Sequence, residues 1–310
     1  MTASIDSPPR QTHVYKLVEG RAIEVDVLGA EPGGSKPCVL WIHGGGLIFG
    51  SRKVSPRASF ARALLDRGFV VVSIDHRLAP EAKLPAIIDD VIDAWDWLHR
   101  LGGKLVGVDT SRVAVAGASA GAYLSLLGGY MLEPRPRALA SFWGYGDITA
   151  PWEAQPSAHY RTMKMVTREE AFAALDPSLD PPLDASGSTN ADRSLFYLYC
   201  RQQGRWLQEV TGHDLLEDES WFERYCPTRN IDHTYPPTVL VHGIEDSDVP
   251  HEESEKLAER LATAGVVHQF VSLPGVGHGF AGAEMESALA VEAAAAEFLA
   301  KELATGGSPP

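Results

Sequence analysis

Three stretches of the chain put reactive side chains on short turns bounded by glycine. Gly117-Ala118-Ser119-Ala120-Gly121 follows an apolar run at 113–116 and precedes a helical pattern at 120–131. A serine with glycine two residues to either side suits a sharp strand-to-helix turn. The backbone there passes close to its neighbours, and the hydroxyl projects clear of the sheet. The helix N-terminus behind it favours developing negative charge. His43-Gly44-Gly45-Gly46 ends a second apolar run, 38–42. Its glycines leave backbone N–H groups unscreened, as an oxyanion of a tetrahedral intermediate requires. His43 itself reads as a structural hydrogen-bonding residue. The third stretch is a late pair: an acidic loop, Glu245-Asp246-Ser247-Asp248, and a histidine, His278, between Gly277 and Gly279. A serine hydroxyl needs a base to take its proton, and the base needs an acid to fix its tautomer. Ser119, an acid of that loop and His278 stand in the order nucleophile, acid, base.

The chain has eleven histidines. His268 lies inside a strand pattern, and His242 and His76 end strands at the wrong place in the order. His213, His233 and His251 lack the flanking glycines that let a loop carry a base. His278 follows the last strand pattern and precedes a terminal helix. Of the three acids, Asp246 is preferred, with Asp248 second. Asp75 precedes the serine and reads as structural.

Compact apolar runs must carry these turns. Strands are expected at 14–18 and 22–28, as a hairpin around Glu19-Gly20, then at 38–42, 69–74, 113–116, 139–143, 238–241 and 268–273. Continuous apolar runs suit strands covered on both faces. Helical patterns fill the gaps at 56–67 (Ser55 as N-cap, Pro56 at N1), 86–101 (Gly102 as stop), 120–131, 252–264 and 283–303. This alternation predicts an α/β fold: a doubly wound, mostly parallel eight-stranded sheet. Between Gly144 and Tyr235 the strand patterns vanish. Pro177, Pro181, Pro182 and Pro227 separate short helical patterns such as 191–203, and the stretch is rich in aromatics. Residues 147–234 therefore read as an inserted helical cap on a core of 1–146 and 235–304. Residues 305–310 read as a disordered tail. Most of the cap's rings are expected to form its own core, with three or four lining a pocket.

The formal net charge of −14 disfavours nucleic acid and anionic membranes as partners. Cys38, Cys200 and Cys226 have no metal-ligand spacing and read as free thiols. The first eleven residues lack the apolar core of a secretory signal. The Ala-rich stretch 288–304 is broken by Glu292, Glu297, Lys301 and Glu302, so it reads as an amphipathic surface helix. A cytoplasmic protein with no cofactor or metal is the expectation, with homo-oligomerisation left open.

These residues resemble the hormone-sensitive-lipase-like branch of the α/β-hydrolase superfamily. The resemblance rests on His43-Gly-Gly-Gly46, Asp75-His-Arg-Leu-Ala-Pro-Glu81, the serine turn and Gly277-His278-Gly279-Phe280, and spans about two-thirds of the chain. It implies a carboxylic-ester hydrolase acting on a small-molecule ester, with Ser119, Asp246 and His278 as triad. It also implies an oxyanion hole made by the N–H groups of Gly45, Gly46 and Ala120. Departures are Ala118 where Asp is frequent, His76 for the usual Tyr, Leu47 for an aromatic, and a cap inserted after the sixth strand. The acid loop, ending Asp248-Val-Pro250, looks more like prolyl-oligopeptidase and dienelactone-hydrolase relatives; by that pattern the acid is Asp246. Prolyl-oligopeptidases add a large propeller for which these residues leave no room, whereas a lactonase would need the same triad. Gibberellin receptors, which resemble this branch without catalysing, have lost the histidine that His278 supplies here.

Overall fold

The computed structural model describes residues 10–53, 58–173, 175 and 193–304. Eight strands form one sheet: β1 (Arg10–Val18), β2 (Arg21–Leu28), β3 (Lys36–Ile42), β4 (Val70–Ile74), β5 (Val108–Ala118), β6 (Leu139–Phe142), β7 (Thr238–Gly243) and β8 (His268–Leu273). Their order across the sheet is β1-β2-β4-β3-β5-β6-β7-β8. β2 pairs antiparallel with β1 and β4, and every other pairing is parallel. Glu19 and Gly20 make the first turn with φ of 51° and 81°, the left-handed pair that a two-residue hairpin needs.

The apolar runs are buried because both faces of the sheet are covered. Alternate residues of a strand point to opposite sides. Cys38, Leu40 and Ile42 join one core, and Val39 and Trp41 the other; Val70, Val72 and Ile74 oppose Val71 in the same way. Helices Leu84–Trp97, Ala120–Met131 and Glu252–Thr263 close the first core, and Ala58–Leu65 and Met285–Ala304 close the second.

Several boundaries differ from expectation: β1 begins at Arg10 rather than at 14 and β3 at Lys36 rather than at 38, and two further differences have a clear local cause. The helix expected to stop at Gly102 passes through it as a π turn, Leu98–Gly102, and continues to Val106. The stop is Gly107, whose φ of 73° is left-handed; a glycine with helical φ ends nothing. β5 begins at Val108 rather than at 113, because its first residues, Asp109 to Ser111, are polar and carry no apolar signal.

Among the described residues, no strand lies between β6 and β7. Short helices fill the interval, including Pro151–Ala154, Arg168–Ala173, Ser194–Gln203 and Trp206–Thr211. They are pinned to the sheet side by buried polar contacts. Arg193 donates to the carbonyls of Ile48 (2.6 Å) and Ala79 (2.5 Å) and pairs with Glu81. Lys83 Nζ donates to Glu209 O at 2.6 Å. Phe196, Trp206 and Phe222 are fully buried and join the same core as Leu40 and Ile42 of the sheet rather than forming a separate one. All three cysteines are buried and free. Among the described residues no helix is long and apolar enough to cross a membrane. Ser55, Pro56, Pro177, Pro181, Pro182, residues 191–192 and the tail 305–310 lie outside the described residues.

One packing contact makes a stability prediction. A Cβ on Gly121 would stand 2.2 Å from Ile42 O and 2.4 Å from His43 O. Gly121→Ala is expected to cost about 1–3 kcal/mol, a fall in Tm on the order of 2–4 °C per kcal/mol for a domain of this size. An unchanged melting temperature in a calorimetric scan would contradict this close approach.

Candidate active site

β5 ends at Ala118, and the helix Ala120–Met131 starts immediately after Ser119. Ser119 takes up the whole turn with φ 55° and ψ −123°. Such a backbone costs about 1–3 kcal/mol and persists only where its surroundings hold it. The Ser119 N–H donates to Phe142 O at 2.9 Å, and its carbonyl accepts from Tyr123 N–H at 3.0 Å. The flanking glycines allow the crossing: a Cβ on Gly117 would meet the Gly121 carbonyl carbon at 2.3 Å.

The glycine loop after β3 lies against this turn. A Cβ on Gly44 would stand 3.3 Å from Ser119 Cβ. Gly45 and Gly46 have φ of 114° and 59°. The Gly45 carbonyl turns back into the loop, accepting from Ile48 and Phe49 N–H at 2.9 and 3.0 Å. The Gly46 carbonyl accepts from Trp206 Nε1 at 2.7 Å, and a Cβ there would enter the Tyr197 ring. Ala120 is the first residue of its helix, so its N–H has no intrahelical acceptor. Among the described residues the N–H groups of Gly45, Gly46 and Ala120 donate to no protein atom. His43 is structural, as expected: its Nδ1 donates to Gly44 O at 2.7 Å, and its ring stacks on His76 at 4.2 Å. Burial, then the neighbouring His43, lowers His76 to about 3.

The three loop acids have three different partners. Glu245 ties the two late loops together: its N–H donates to Val276 O, and its Oε2 accepts from Val276 N–H, both at 3.0 Å. Asp246 Oδ2 lies 2.7 Å from His278 Nδ1, and its side chain is fully buried. Asp246 Oδ1 accepts the N–H groups of Asp248 and Val249, each at 2.9 Å. Asp248 Oδ1 accepts from the Tyr197 hydroxyl at 2.7 Å, while its Oδ2 faces His278 Nε2 at 3.7 Å.

A second imidazole, which the sequence reading set aside, shares the same acid. His242, fully buried at the end of β7, has Nε2 3.2 Å from Asp246 Oδ2 and Nδ1 2.7 Å from Ser254 Oγ. The signal that could have found it is its position four residues before the acid on a turn that folds back. Burial alone would raise the Asp246 pKa. Hydrogen bonds from His242 and His278, the charge of His278 and the Val249 N–H instead hold it far below the usual carboxylate range. Burial also opposes a charged His278, but the Asp246 hydrogen bond and the charges of Asp248 and Asp246 outweigh it and raise its pKa.

β6 separates β5 from β7, so something must bridge Ser119 to the late loops. Residues 142–143 do. Phe142 O holds the Ser119 N–H, and Trp143 N–H donates to Val241 O at 2.6 Å. The Trp143 ring packs 5.9 Å from the His278 ring and 5.0 Å from the Phe280 ring. Gly279 and Phe280, with φ of 68° and 66°, turn the histidine loop over it. Ser119, Asp246 and His278 thus all lie beyond the C-terminal ends of parallel strands, where open α/β sheets place their ligands. No hydrogen bond joins Ser119 Oγ to His278 Nε2 among the described residues; such bonds commonly tighten only around substrate.

Comparison with known proteins matches this architecture. The family of the alpha/beta hydrolase fold matches residues 39–282. The non-reducing polyketide synthase Preu6 of Preussia isomera is 30% identical over 90% of this chain, which spans only 14% of that protein's length. Esterase LipC of Mycobacterium tuberculosis is 27% identical over 79% of the chain and 53% of its own length. The solved structure of EstE1, a thermophilic carboxylesterase cloned from a metagenomic library, is similar in fold with a TM-score of 0.67. It is 23% identical, over 97% of this chain and 92% of its own. The serine turn and the glycine loop stand inside the matched region, at the strand ends where their chemistry needs them, and the chain belongs to the α/β-hydrolase family.

Proposed function

We propose that the protein is a serine esterase that hydrolyses carboxylic esters through an acyl-enzyme on Ser119, under a cap to which the described helices between β6 and β7 contribute. The observation that carries this reading is the 2.7 Å Asp246–His278 contact at the sheet end where Ser119 sits on its strained turn. A relative described as an esterase and a neighbour described as a carboxylesterase support ester hydrolysis. His278 Nε2 takes the hydroxyl proton as Ser119 Oγ attacks the ester carbonyl. The N–H groups of Gly45, Gly46 and Ala120 receive the oxyanion. The C–O bond to the alcohol breaks as His278 returns the proton to the leaving oxygen. Water then attacks the acyl-enzyme, with His278 again as base, and releases the acid and Ser119.

The test is turnover of a short p-nitrophenyl ester together with labelling by a fluorophosphonate. The adduct is expected on the peptide that carries Ser119. An adduct on another serine, or none alongside no turnover, would reject the reading.

The pH dependence follows from His278. As a base it must be neutral, so activity is lost as pH falls through its pKa. That pKa is raised, so the acid limb of kcat/KM is expected to have its midpoint above the ordinary imidazole value of about 6.5. Asp246, held low, stays ionised throughout and adds no second limb in the accessible range. A midpoint below the ordinary value in a kcat/KM profile would contradict the paired arrangement.

A further inference from the structure

We infer that Asp248 is a specificity-determining residue on the leaving-group side of Ser119. It favours esters of alcohols that carry a positive charge or a hydrogen-bond donor close to the ester oxygen. The inference rests on the esterase reading of Ser119 and His278.

The leaving oxygen takes its proton from His278 Nε2 and so must come within hydrogen-bonding distance of that atom. Asp248 Oδ2 lies 3.7 Å from the same atom. A substituent two or three bonds beyond the leaving oxygen therefore arrives beside the Asp248 carboxylate. That carboxylate is fixed in place. Its backbone N–H donates to Asp246 Oδ1 at 2.9 Å, its backbone carbonyl accepts from Arg201 Nη2 at 3.0 Å, and its Oδ1 accepts from the Tyr197 hydroxyl at 2.7 Å.

The charge of Asp248 is not cancelled. Its nearest cation is Arg201, whose side chain is 2% exposed and also pairs with Glu153, itself 3% exposed. One guanidinium between two carboxylates leaves one negative charge in excess. Asp246 adds another while His278 is neutral. The rings of Trp152, Tyr160 and Tyr197 stand 5.0, 5.6 and 6.0 Å from the Arg201 guanidinium carbon. The Asp248 side chain is only 13% exposed, so water screens its attraction for a cationic group weakly. An alcohol bearing a carboxylate would meet repulsion at the same place.

The experiment compares two esters of one short acid: that of 2-(trimethylammonio)ethanol and that of its uncharged isostere 3,3-dimethylbutanol. kcat/KM is measured for both on the pH plateau at low ionic strength, with the wild type and Asp248→Asn. The wild type is expected to prefer the cationic ester by about tenfold or more, and Asp248→Asn to bring the ratio within about threefold of one. Both values come from one preparation, so partial misfolding cancels in the ratio. A wild-type ratio at or below one, or a ratio that Asp248→Asn leaves unchanged, overturns the inference. If neither ester is turned over and a fluorophosphonate does not label Ser119, the esterase reading itself fails and the inference falls with it.

Discussion

Ser119→Ala is expected to lower kcat by about 10⁶-fold, the loss seen when a triad nucleophile is removed. The substitution takes away Oγ and little else. Ala keeps the Cβ, and the turn is held by backbone bonds from Ser119 to Phe142 O and Tyr123 N–H. The glycine loop beside it, a Cβ on Gly44 standing 3.3 Å from Ser119 Cβ, does not depend on the hydroxyl. The variant should therefore melt at the wild-type temperature while losing both turnover and fluorophosphonate labelling. Oxyanion binding and substrate positioning leave a residual acceleration of about 10³–10⁴ over water. Retention of more than about one per cent of wild-type kcat, against the loss expected for a nucleophile, would place the nucleophile elsewhere.

Asp246→Asn is expected to cost on the order of 10⁴ in kcat, and the local geometry says how. Asp246 Oδ1 accepts two backbone N–H groups, from Asp248 and Val249. An asparagine oxygen stays on that side, so its NH₂ group must face both His242 Nε2 and His278 Nδ1. A donor opposite Nδ1 makes Nδ1 the acceptor and moves the His278 proton to Nε2. The atom that must take the serine proton is then already protonated. The defect is one of tautomer, so kcat falls far more than KM rises. If Asp246→Asn were near wild type while Asp248→Asn were dead, the acid would be Asp248.

The turns that carry Ser119 and His278 were legible in the sequence because their signals are local. Gly117 and Gly121 are needed within two residues of Ser119, and Gly279 next to His278 adopts a left-handed φ of 68°. The sheet was legible for a similar reason: strands such as β3, buried on both faces from Cys38 to Ile42, read as unbroken apolar runs. The acid was harder. Glu245, Asp246 and Asp248 share one loop, and nothing in their spacing says which carboxylate turns inward. The Asp248 and Val249 N–H groups cap one Asp246 oxygen, and the other faces the imidazoles. His242 was set aside for its place in the order, and a histidine at a strand end carries no mark of the loop that folds back on it. The rings that gather on Arg201 come from separate stretches, Trp152, Tyr160 and Tyr197. Composition finds the aromatics; only tertiary packing sorts those that meet a charge from those that fill a core.

Gly46 gives the helices between β6 and β7 a second significance. Its carbonyl is held by the Trp206 indole, and its α-carbon lies under the Tyr197 ring. Replacing Trp206 with a residue that has no side-chain donor would strip a buried carbonyl of its partner, at about 1–3 kcal/mol. A change at position 197 or 206 therefore reaches position 46 in the same step, because both side chains bear on that one glycine.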